Sequence, residues 1–136
     1  MEIHLKIIGP LLLLLSFIHI LFPAYFRWEE ELQGLSLINR QMMYVHTFFV
    51  ALVVLLMGLL CILFSEELIT TRLGRILALG LFIFWVIRLV IQFFGYSSKL
   101  WKGKTRETII HLSFSVLWTY LSVVFFIIWL QPGSTY

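Results

Sequence analysis

Charge is scarce in this chain, cysteine occurs once, and no acidic residue lies inside an apolar stretch. Charged residues make up only 12% of the 136 positions against 61% hydrophobic, which leaves too little polar surface for a soluble domain of this size. The single cysteine, Cys61, excludes an intrachain disulfide or CxxC redox pair and reads as a small packing residue. All seven acidic residues fall before or between the apolar runs, so the inward carboxylates of a ferritin-like di-iron site are missing. The spacings HxxxH, EExxH and CxxCH do not occur.

What the chain does have is four long apolar runs, at about 7–26, 41–64, 76–96 and 108–130. Each reaches the roughly 20 residues that a helix needs to cross ~30 Å of hydrocarbon. Stretches such as 11–15 and 48–56 do not alternate apolar with polar, so they cannot be strands of a membrane barrel. Backbone groups in lipid must be satisfied within the segment, which leaves helices. The expectation is an all-α, multi-pass integral membrane protein of the cell (inner or plasma) membrane. Short connections make consecutive helices antiparallel neighbours, giving a four-transmembrane-helix up-down bundle. No repeat, low-complexity tract or linker divides it, so residues 1–136 read as one domain. Lys6 ahead of the first run resembles a signal peptide, but the run is long and lacks a small-x-small cleavage pattern, so it is read as a retained span.

Basic residues orient the spans. The 27–40 and 97–107 loops carry Arg27, Arg40, Lys99, Lys102, Lys104 and Arg106, whereas the other side carries Lys6, Arg72 and Arg75. Six against three places those two loops in the cytoplasm and both termini on the extracytoplasmic side. The same rule accounts for the net charge of +3, so nucleic acid is not an expected partner. Trp28, Trp101 and Trp129 lie near span ends, where amphipathic rings favour the interface. Pro23 should kink or terminate the first helix. Ser36 is expected to cap the second and Thr105 the fourth, with Glu107 in the fourth helix's first turn. Gly103 allows a tight turn, and Pro132 and Gly133 stop the last helix.

Five strongly polar residues nevertheless sit inside the spans: His19, His46, Arg88, Gln92 and His111. At 1.5 Å per residue they lie ~12, ~9, ~13, ~7 and ~6 Å from the cytoplasmic boundary, all in one half of the bilayer. Intramembrane polar groups normally face the protein interior and mark sites. Arg88 and Gln92 share a helix face with Trp85, and His111 aligns with Ser115, Trp118 and Ser122. His46 and Asn39 lie two turns apart on a third stripe, and Ser16 and His19 on another. His19, His46 and His111 have the chemistry to hold haem b or a divalent metal, since imidazole suits Zn, Cu and Fe. Arg88, Gln92 and Asn39 are candidates for an anionic ligand or lipid headgroup. Arg88 needs an anionic or polar partner, either an inward-folded carboxylate from Glu29, Glu30 or Glu31, backbone carbonyls, or a bound anion. Gln92 reads as its companion.

The opposite half is bare. Residues 7–15, 53–64, 76–85 and 116–130 contain no charge and no His, Asn or Gln. Channels and transporters need polar groups along the route or at a midplane site, so a monomeric conduit is disfavoured. Two classes remain: a membrane protein holding a ligand, haem or metal at a cytoplasmic-side polar site, or a non-catalytic subunit whose polar cluster fixes helix packing, a protein partner or a homo-oligomer. No catalytic motif is present, so enzyme chemistry is not expected.

Overall fold

In a computed structural model of the protein, residues 1–96, 98–100 and 103–132 are described. Among these, every regular element is helical: α1 (Glu2–Tyr25), α2 (Trp28–Glu31), α3 (Leu37–Leu63), α4 (Ser65–Thr70), α5 (Arg72–Phe94), a 3-10 turn (Ser98–Leu100) and α6 (Thr105–Leu130). The helices α1, α3, α5 and α6 are long and apolar enough to cross a membrane. Their outward faces are as greasy as their packed ones. Phe17 is 64% exposed, Leu56 55%, Ile87 54% and Val116 69%. Such continuous apolar surface would aggregate in water and is stable against lipid. Three helices start three or four residues before the corresponding apolar run, because backbone hydrogen bonding continues through the interface where side chains turn polar.

The chain forms two compact units, Glu2–Ser65 and Glu66 onward. The first is the α1–α3 hairpin. Its helices run antiparallel, with Gly9 against Gly58 and Ser16 against Ala51, contacts that are seven residues apart on each helix. On α3 the buried residues Ala51, Val54, Gly58 and Cys61 recur at spacings of three and four, the period of left-handed helix packing. Small residues let the backbones approach, which matters in lipid because no hydrophobic force drives helices together. A Cβ on Gly58 would lie 2.9 Å from the Gly9 carbonyl oxygen. The Ser16 hydroxyl adds a hydrogen bond across the interface, donating to the Ala51 carbonyl at 2.7 Å. Pro23 sits in the last turn of α1, which ends at Tyr25, and Arg27 reverses the chain in the left-handed region (φ 54°). Arg27 then pairs with Glu30, and buried Trp28 packs edge-on against Tyr44 at 5.5 Å. Ser36 caps α3, its hydroxyl accepting from the Asn39 amide at 3.4 Å, as its position predicts.

The second unit is the α5–α6 hairpin with α4 folded onto its start. Thr71 caps α5 by accepting from the Gly74 amide at 2.9 Å. Gly74 is required there, since a Cβ would meet the backbone of Glu67 and Leu68. Arg75 reaches the far end of α6 and donates to the Gln131 carbonyl at 2.9 Å, placing a cation on exposed C-terminal carbonyls. The helices again run antiparallel, pairing Trp85 with Trp118 and Gln92 with His111, seven residues apart on each. One expected cap is corrected. Thr105 is already helical, and the N-cap is Lys104, which has no side-chain capping bond. Gly103, at φ 77°, turns the chain one residue early enough to put Lys104 in the extended cap position. Glu107 does lie in the first turn of α6, and the helix ends at Leu130 before Pro132. Trp101, Lys102 and Gly133 lie outside the described residues.

Candidate functional site

The polar residues of the second hairpin form a chain of contacts. Arg88 is half-buried on α5, and its Nη1 donates to Gln92 Oε1 at 3.2 Å, one helical turn further on. Gln92, buried, spans to α6, where its Nε2 lies 2.9 Å from His111 Nδ1. A guanidinium can only donate, so Gln92 must turn its oxygen to Arg88 and its amide N–H to the imidazole. His111 therefore accepts at Nδ1 and carries its ring hydrogen on Nε2. Phe93 flanks the imidazole edge-on at 5.6 Å.

Aromatic faces hold the rest of Arg88. Its Cζ lies 5.0 Å from the centre of the Trp118 ring and 5.7 Å from that of Tyr96. Trp118 also stacks with Trp85 at 5.0 Å and with Phe114 at 5.5 Å. Antiparallel register sets Trp85 against Trp118 one turn before Arg88 arrives on the same face. Among the described residues no carboxylate pairs with Arg88, and the ion pairs are Lys6–Glu2 and Arg27–Glu30. Among the described residues neither the Trp85 nor the Trp118 indole N–H has a hydrogen-bond partner, although both rings are buried.

Three α6 hydroxyls donate within their own helix. Ser115 donates to the His111 carbonyl, Thr119 to Ser115 and Ser122 to Trp118, each at 2.8 Å. The polar stripe read along α6 thus satisfies its own backbone four residues back, a common state of Ser and Thr within helices.

No family model, no curated protein and no solved structure matches this chain. Its chemistry is read from the residues alone.

The remaining site candidates lie on the other hairpin. His19 is half-buried, and its Nδ1 is 2.8 Å from the Leu15 carbonyl, so that nitrogen carries the hydrogen and Nε2 keeps its lone pair. Its ring leans on Phe22 at 4.9 Å. His46 and Asn39 are both exposed on α3. Five residues before Ala51, His46 points well away from the face that Ala51 buries, for a helix turns 100° per residue. Within neither hairpin do three metal-ligating side chains gather among the described residues. The half-buried His19 and the buried His111 also differ. His19 can offer Nε2 to a metal, while Gln92 selects the His111 tautomer whose Nε2 is protonated.

Sequence reasoning missed one partner class. Carboxylates, carbonyls and bound anions were considered for Arg88, but not the π-faces of Trp118 and Tyr96. The signal was present: Trp85 and Trp118 lie within about one turn of Arg88's depth and Tyr96 eight residues beyond it, and arginine over an aromatic face is a favourable pairing. Glu30, one of the carboxylates considered, is engaged by Arg27.

Proposed function

We propose that this is a non-catalytic, four-crossing integral membrane protein, one membrane domain of the cell membrane in which successive helices alternate in direction. Its α5–α6 hairpin receives an anionic group at Arg88. The 27–40 and 97–107 loops face the cytoplasm, on the excess of basic residues there. The observation that carries the reading is a guanidinium with no anionic partner. It is positioned by Gln92, Trp118 and Tyr96, and no carboxylate pairs with it among the described residues. The test is native mass spectrometry of protein purified in nonionic detergent. Wild type should retain an acidic ligand and Arg88→Gln should lose it; equal retention by both proteins would remove Arg88 from the site.

A second reading has an observation of its own. Gln92–His111 is a direct side-chain bridge between α5 and α6, as expected of a subunit whose polar cluster fixes packing. On that reading Arg88→Gln and Gln92→Leu would lower stability together and change no bound ligand. Haem b or a divalent metal on the imidazoles is tested by the same preparation. A Soret band or stoichiometric metal that disappears in His19→Ala would replace the anion reading.

A further inference from the structure

Resting on that reading of Arg88, we propose that the group it receives is the phosphate of an anionic phospholipid, taken from the leaflet at the α5–α6 loop end of the hairpin. The first argument is depth. The 23 residues of α5 extend ~34 Å, slightly more than the ~30 Å of hydrocarbon. Arg88 lies six residues before the Phe94 end, so its Cα is ~9 Å from that end, less than the ~13 Å reckoned from the sequence because α5 stops at Phe94. An arginine can snorkel over that distance and set its guanidinium near the headgroup boundary. A lipid phosphate already resides there. A free anion would first have to leave water.

Donor chemistry is the second argument. The guanidinium commits Nη1 to Gln92 and places its Cζ over the Trp118 and Tyr96 rings, which leaves its other N–H groups without an acceptor among the described residues. Phosphate oxygens accept from several donors in different directions, and arginine is the side chain best matched to them. Tyr96, flanking the guanidinium beyond the end of α5, is a ring type that settles at the lipid–water boundary.

The third argument is charge around the entrance. The loop beyond α5 and the first turn of α6 carry Lys99, Lys102, Lys104 and Arg106, with Glu107 as the one acidic residue between Tyr96 and the end of the chain. Lys102 is outside the described residues; Lys104 and Arg106 are exposed. Such a cluster beside a span attracts anionic lipid. It would enrich the leaflet in the species that Arg88 then holds.

The experiment uses the full chain, delipidated in nonionic detergent, with the melting midpoint and bound lipid followed as phosphatidylglycerol, phosphatidylcholine, sodium oleate or inorganic phosphate is added. Phosphatidylglycerol should raise the midpoint and co-purify, whereas the other three should not. Arg88→Gln should abolish the response and Arg88→Lys keep part of it. Should Arg88→Gln fail to fold, the triple variant Lys99→Gln/Lys104→Gln/Arg106→Gln serves. It should melt like wild type in phosphatidylcholine yet bind phosphatidylglycerol about five-fold more weakly per cation removed. If oleate or inorganic phosphate stabilises as much as phosphatidylglycerol, the phospholipid is wrong and the anion site at Arg88 stands. If no anion has an effect, or Arg88→Gln responds like wild type, both readings fall.

Discussion

Placing a guanidinium in a membrane-spanning helix costs about 2.5–3.5 kcal/mol on the mildest scale. Arg88 offsets this on its own hairpin. A hydrogen bond from a charged donor contributes about 1.5–3 kcal/mol, and a desolvated contact with a tryptophan face about 2 kcal/mol. The two together match the cost, so the hairpin tolerates Arg88 before any anion arrives. Gln92→Leu should accordingly destabilise the protein by about 1.5–3 kcal/mol, because it removes the acceptor of a charged donor and the donor to His111. Reversible unfolding in mixed micelles measures this, and a midpoint equal to wild type would show that Gln92 does not hold Arg88. Trp118→Leu should cost more, since it removes the cation–π face and two stacked ring contacts together. A smaller loss than in Gln92→Leu would mean that the ring contributes little to holding the cation.

At the level of elements, both hairpins use contacts seven residues apart, but different chemistry fills them. The α1–α3 pair brings backbones together at Gly9 and Gly58, and its one cross-helix hydroxyl bond is Ser16 to Ala51 among the described residues. The α5–α6 pair instead stacks Trp85 on Trp118 and is bridged by Gln92 and His111. Close approach is the more sensitive arrangement. Gly58→Ala pushes a methyl against the Gly9 carbonyl and should cost about 1–3 kcal/mol, while Ser16→Ala should cost about 0.6 kcal/mol, the mean for such bonds in membranes. The two variants compared in one unfolding assay decide this, and the reverse order would show that the helices are held by the hydroxyl. Of these details Ser36 was legible, because a cap is a local preference of one residue for the turn beside it. Thr105 was misread for the same reason, since the choice between Lys104 and Thr105 depends on where Gly103 turns the chain.

For the whole molecule, the prediction concerns sidedness. In a Cys61→Ala background, single cysteines in the 27–40 and 97–107 loops should react with an impermeant thiol reagent only from the cytoplasm, and a cysteine in the 65–75 loop only from the opposite face. Cys61 is fully buried and small, so its replacement should be mild. Labelling of the first two loops from outside would invert the protein and move Arg88 to the other leaflet. The class of the protein and its number of spans were determined by sequence alone. Hydropathy is a sum over about twenty neighbouring residues, and lipid imposes that sum whatever the helices do next. The presence of Arg88, Gln92, His19, His46 and His111 inside the apolar runs was equally plain. Only tertiary structure decided which of them meet. Gln92 faces His111 because α5 and α6 pair in one register and one rotation, whereas His46 at a similar depth is turned outward. Register and rotation come from packing across helices, from Trp85 on Trp118 and Gly9 against Gly58, and no sum along a single segment contains them.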